Sequence, residues 1–134
     1  MRFCIKKINE EDNMNLSLVF KIGAVWLLMW ALMNMFMPDM ANIYGFTLST
    51  ELKSIMRGFG VSLLSLAVLH WVIPMWSGDN MPNFGQVVGA LWVVFILMQL
   101  NDLRTNLAPM NAEFMVPVGL NVIIAALFFV YSKK

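Results

Sequence analysis

Apolar residues run along this chain in four long stretches, approximately Asn15 to Met37, Lys53 to Trp76, Phe84 to Leu100 and Phe114 to Tyr131. A hydrocarbon core about 30 Å thick takes roughly 20 helical residues to cross, a length these stretches reach or approach. Hydrocarbon offers no partner for a free backbone amide, and four segments are too few to close a barrel, so the spans are expected to be helices. Short connections make successive helices antiparallel neighbours. The pattern therefore predicts an all-α fold, an integral membrane four-helix antiparallel bundle over residues 15–134 behind a polar N-terminal tail over 1–14.

Polar punctuation supports the same division. The middle loop, Ser77 to Asn83, has the Ser, Gly, Asp, Asn and Pro composition of a turn. Pro38 to Thr50 closes the first span, turns at Tyr44-Gly45, and offers Ser49 or Thr50 as an N-cap with Glu51 on the positive end of the next helix dipole. Asp102 to Glu113, with Pro109, does the same before the last span. The two hairpins do not align with each other, so no internal repeat is present. A cleaved signal needs a short apolar core and a small-residue cleavage site. The first apolar run instead continues past Trp26 and Trp30, and the span is expected to be retained.

Composition adds exclusions. Hydrophobic residues make up 60% of the chain and charged ones 13%, with a mean hydropathy of +0.71, against about half and a quarter in soluble domains. The lipid bilayer is the expected partner. A net charge of +1 supplies no clustered field to attract nucleic acid, which is set aside. Cys4 is the single cysteine, so neither an internal disulfide nor a CxxC redox pair exists. The side holding both termini and the middle loop carries Arg2, Lys6, Lys7, Lys21, Lys133 and Lys134, against Lys53, Arg57 and Arg104 on the other. Basic loops stay in the cytoplasm, so both termini are expected on the cytoplasmic side of a bacterial-type membrane.

Small residues mark where helices can approach, because lipid provides no hydrophobic drive for association. Gly85 and Gly89 have small-xxx-small spacing, and Gly58, Gly60, Gly23 and Gly119 are the other small positions. All are expected to face other helices, within the bundle or, through the Gly85 and Gly89 stripe, in a homodimer. Trp71, Trp76 and Tyr44 fit interfacial belts. Trp26, Trp30 and Trp92 lie deeper and suit either a cavity wall or lipid contact.

Few polar groups lie within the spans, where an ionisable side chain costs on the order of 3 kcal/mol unless paired or hydrated. Arg57 stands about one turn into the second span from its outer end, and antiparallel geometry brings Asp102 to the same depth. An Arg57–Asp102 pair is therefore expected, either as a clamp or snorkel or as an anion site at an outer vestibule with Asn34 and Trp30. His70 is expected near the inner interface at the depth of Lys21 and Gln86, as a hydrogen-bonding group, since metal sites need several good ligands. Asn121 and Gln99 are expected to hydrogen-bond across helices. Methionine is in excess, 13 in all, and Met29, Met33, Met37 and Met40 trace one helical stripe. Thioethers favour Cu(I), which makes Met33, Met37 and Met40 a candidate metal set, although methionine also fills irregular gaps between helices. No cofactor and no catalytic residue is implied.

Pro38 through Tyr44-Gly45-Phe46, followed by Arg57-Gly58-Phe59-Gly60 and a leucine-rich helix ending near Trp71, resembles the small four-helix membrane proteins of the DoxX-like group. The resemblance covers the first hairpin. It implies a four-helix bundle and, for some relatives, association with membrane oxidoreductases such as a thiosulfate:quinone enzyme; it transfers no catalytic residue. Two functions follow as expectations. The first is an accessory or assembly subunit docking a larger membrane complex, with apolar outward faces and no internal cavity. The second is a protein that binds or moves a small hydrophobic or anionic ligand, with an intramembrane pocket lined by Arg57, Asn34, Trp30 or Asn121. Acid-base catalysis ranks third, because the spans offer only Lys21, Arg57 and His70, with Arg57 at a depth separated from the other two.

Overall fold

The computed structural model describes the backbone of residues 2–133 and the side chains of residues 15–133. Helix α1 runs Arg2–Phe36, short α2 Pro38–Ala41, α3 Thr50–Trp76, α4 Met81–Arg104 and α5 Ala112–Tyr131, with a 3-10 turn at Gly78–Asn80 between α3 and α4. Four of these helices are long and apolar enough to span a bilayer, and the chain is an integral membrane four-helix bundle. The expectations placed on the tail, including Cys4, concern side chains outside the described residues; the backbone there continues α1.

The spans are longer than hydropathy alone predicts, because their polar ends stay helical beyond the apolar stretch. At about 1.5 Å per residue, the 27 residues of α3 outrun a hydrocarbon core of about 30 Å. Ser49 is the N-cap of α3, its hydroxyl accepting from the Leu52 amide at 3.2 Å. Asn111 caps α5 in the same way, accepting from Phe114 N at 3.0 Å. Pro82 occupies the first turn of α4, where its missing N–H would be unpaired anyway. The expected seven-residue middle loop accordingly shrinks to a single 3-10 turn.

Helix α1 is the centre of the bundle. It packs extensively on α3 and bridges to α5, while α4 lies mainly on α5; α3 and α4, although joined by the tightest connection, scarcely touch. The helices thus form a row, α3–α1–α5–α4, curled so that its two ends face each other across a gap. Gly60 lets α3 close on α1. A Cβ there would stand 2.7 Å from Met35 Cγ and 2.9 Å from the Ala31 carbonyl oxygen. Gly85 abuts Ser132 and Leu16, and Gly89 abuts Phe128 and Phe129. The Gly85 and Gly89 stripe is therefore covered inside the chain and is not free to pair two copies. Gly58 and Gly119 contradict the expectation, since nothing lies within 4 Å of either; both are on outward faces.

Candidate functional site

The gap between α3 and α4 is a half-open cavity of about 610 Å³, within the range of about 300 to 1,000 Å³ typical of small-molecule sites. The α3 wall carries Met56, Phe59, Leu63, Leu66 and Leu69; the α4 wall carries Val88, Leu91, Phe95 and Gln99. Trp26, Trp30 and Asn34 of α1 and Asn121 of α5 form the back. Only 22% of the most apolar window of α3 is buried, because this helix meets lipid on one side and the cavity on another.

Both ends of the α3–α4 seam are pinned. At one end the imidazole of His70, buried among Phe20, Trp92 and Phe128 with ring centroids 6.0 to 6.2 Å away, spans the two helices. Its Nδ1 lies 2.9 Å from the Leu66 carbonyl and its Nε2 lies 3.4 Å from the indole Nε1 of Trp92. An indole N–H only donates, so Nε2 accepts and Nδ1 carries the proton that goes to Leu66; this assigns the neutral ring. It is the one hydrogen bond between α3 and α4 among the described residues. The ring fits because a Cβ on Gly23 would stand 3.0 Å from His70 Cδ2.

At the other end, the α2–α3 connection folds over the cavity. Asn42 clamps it, its Nδ2 donating to the Phe46 carbonyl at 2.7 Å and its Oδ1 accepting from the Phe46 amide at 3.2 Å. Gly45, at φ 69°, supplies the left-handed residue of the turn. Tyr44 stacks on Phe46 at 5.4 Å, meets Phe114 edge-on at 5.1 Å, and donates its hydroxyl to Asp102 Oδ2 at 2.8 Å. Burial, then the hydrogen bond to the Asp102 carboxylate and its negative charge, push the Tyr44 phenol well above its ordinary range. Lys53 adds a bridge to Asp39 at 2.9 Å, exposed and so worth little.

A polar relay crosses the back of the cavity. Trp26 Nε1 donates to Asn121 Oδ1 at 2.9 Å, and Asn121 Nδ2 donates to Gln99 Oε1 at 2.9 Å, linking α1, α5 and α4. Asn34 Nδ2 donates to the Trp30 carbonyl one turn back at 2.9 Å. The remaining atoms of these amides, Asn34 Oδ1 and Gln99 Nε2, have no hydrogen-bond partner among the described residues, although both side chains line the cavity and are 5% exposed.

These positions correct several expectations. Arg57 makes no hydrogen bond or ion pair among the described residues, is exposed and does not line the cavity; Asp102 bonds Tyr44 instead. Arg57 projects from the outward side of α3, where a long stem lets its head reach an interface. Asn34 and Trp30 do line the cavity, as does Asn121, without Arg57. Asn121 and Gln99 bond across helices as expected. His70 hydrogen-bonds as expected but is buried within the bundle, while Lys21 is exposed. The methionine stripe is not continuous. Helix α1 stops at Phe36, Met37 has φ −133° and ψ 59°, and Met40 belongs to α2, because Pro38 forces the residue before it out of helical geometry. Met37 and Met40 are exposed, and no three of His, Cys, Asp and Glu come together among the described residues. What the sequence did not indicate is the pairing of Trp26 with Asn121 and of Tyr44 with Asp102, 95 and 58 residues apart. Comparison with family models, curated proteins and solved structures gives no match.

Proposed function

We propose that this protein binds a small hydrophobic molecule inside the membrane, in the cavity between α3 and α4. The observation that carries this reading is the cavity itself, about 610 Å³ of apolar space between two helices that would otherwise close on each other. Helices joined by so tight a connection ordinarily pack against each other, whereas α3 and α4 stand apart around a half-open apolar cleft backed by Trp26, Trp30 and Asn121. The walls contain no carboxylate, lysine or arginine. An ion there would be stripped of water without a counter-charge, so the anionic ligand considered with Arg57 gives way to a neutral one.

The setting proposed is a bacterial-type inner membrane with both termini cytoplasmic, supported by the lysine and arginine bias of the two sides. In that orientation the Tyr44 loop covers the outer end of the site and the His70–Trp92 contact lies toward the inner one. The likeness of the first hairpin to DoxX-like proteins suits the four-helix frame and remains part of this proposal. Native mass spectrometry of the protein purified in mild detergent, followed by solvent extraction, tests the reading. A stoichiometric neutral small molecule on the monomer is expected. Bare protein, or protein recovered only within a larger assembly and carrying no small molecule, would favour the accessory-subunit alternative.

A further inference from the structure

The relay across the back of the cavity has a direction, and that direction constrains the head of the ligand. Trp26 Nε1–H can only donate. It therefore requires the oxygen of Asn121 to face it, which turns Asn121 Nδ2 toward α4, where it lies 2.9 Å from Gln99. Gln99 must answer with its oxygen. Its own Nε2–H2 is then left as the end of the chain, a donor on a side chain 5% exposed, lining the cavity, with no acceptor among the described residues. Flipping any one amide breaks a bond upstream. The Nε2 atom is open to the cavity rather than sealed inside the bundle, so an acceptor lying in the cavity can reach it.

Resting on the ligand-binding reading above, we infer that the cavity takes a neutral, single-chain lipid-like molecule whose head presents an oxygen acceptor, a ketone or ester carbonyl, to Gln99 Nε2. A single chain suits the size: at ~30 Å³ per non-hydrogen atom, the share of a liquid water, a space of about 610 Å³ takes on the order of twenty such atoms. Charge fixes the neutral head, because no ionic side chain lines the walls. The relay fixes the acceptor, and Trp26 acts on the ligand only through Asn121 and Gln99, as a positioning residue.

The test uses full-length protein in nanodiscs with Trp71 and Trp76 replaced by phenylalanine, so that fluorescence reports Trp26, Trp30 and Trp92, all on the cavity wall. Quenching by 1-bromododecane is displaced by 2-pentadecanone, by n-pentadecane or by pentadecanoate. The ketone is expected to bind roughly threefold to tenfold more tightly than the alkane, the worth of one net hydrogen bond, and the carboxylate more weakly than the ketone. Gln99→Met should remove the ketone advantage while leaving alkane binding. In Trp26→Phe the two amides are free to turn over, and the advantage should shrink. A readout independent of any variant is the infrared carbonyl band of carbon-13-labelled 2-pentadecanone, expected to move to lower wavenumber on binding. Equal displacement by ketone and alkane, with an unshifted carbonyl band, overturns the acceptor assignment while the cavity reading stands. Displacement by none of the three, with no saturable quenching, means that the cavity reading itself has failed. Quenching by acyl-brominated phosphatidylcholine that the ketone cannot relieve would assign the space to bilayer lipid and also overturn the inference.

Discussion

Gly60 and Gly58 stand two residues apart on α3 and make opposite predictions. Adding a methyl group at Gly60 places a carbon 2.7 Å from Met35 Cγ, 2.9 Å from the Ala31 carbonyl oxygen and 3.1 Å from Asn34 Cβ. The methionine can swing aside. The carbonyl belongs to the backbone of α1 and cannot, so the helices must separate by several tenths of an ångström along their main interface. Overpacking of this kind costs about 1 to 3 kcal/mol, a factor of roughly 5 or more in the folded population. At Gly58 nothing lies within 4 Å, and an exposed glycine replaced by alanine in a helix gains up to about 1 kcal/mol. Reversible unfolding of Gly60→Ala and Gly58→Ala in mixed detergent micelles, followed by helical circular dichroism, is the assay. Gly60→Ala should unfold at a lower denaturing-detergent fraction than the parent, and Gly58→Ala at the same or a higher one. Equal shifts in the two variants, or an indifferent Gly60→Ala, would refute the placement of α1 against α3.

Other consequences are equally specific. Arg57→Leu should leave binding of 1-bromododecane within about twofold of the parent in the fluorescence assay, because the guanidinium faces away from the cavity; the tolerance is well under one hydrogen bond's worth. In an absorbance titration of the phenols, one class should stay protonated beyond pH 10, and Tyr44→Phe should delete it. The native state holds the Tyr44 proton more tightly than the unfolded chain does, so its contribution to stability is full below about pH 10. That contribution declines as the pH rises beyond it, because burial and Asp102 penalise the phenolate. Replacing Met33, Met37 and Met40 by leucine should leave Cu(I) retention unchanged, since Met37 and Met40 are exposed and the helix breaks between Met33 and Met40.

Local signals carried the fold a long way. Four apolar runs yielded the four spans, Ser49 and Asn111 stand where a side-chain oxygen can accept from a first-turn amide, and Gly45 marks the turn. The cross-helix bonding of Asn121 and Gln99 also followed from position along a span. Lateral arrangement did not. In lipid the outward and inward faces of a helix are alike in polarity, so periodicity carries little information about which helices touch. The outward turn of Arg57, the gap between α3 and α4, and the choice of Tyr44 as the partner of Asp102 are all matters of rotation about helix axes. A depth argument cannot resolve rotation. Of the candidate site, Trp30, Asn34 and Asn121 were legible because a polar or aromatic group deep in a span is conspicuous; the direction of the relay required knowing that Trp26 faces Asn121.

The central claim is that α3 and α4 flank a site that holds one ligand molecule rather than a groove filled by bulk lipid, and the form of tryptophan quenching decides it. With Trp71 and Trp76, exposed at 44% and 81%, replaced by phenylalanine, 1-bromododecane should quench the remaining tryptophans saturably at one equivalent per chain, with n-pentadecane restoring the signal. Quenching that grows in proportion to bromoalkane content without saturating, as for a residue facing bulk lipid, would contradict it.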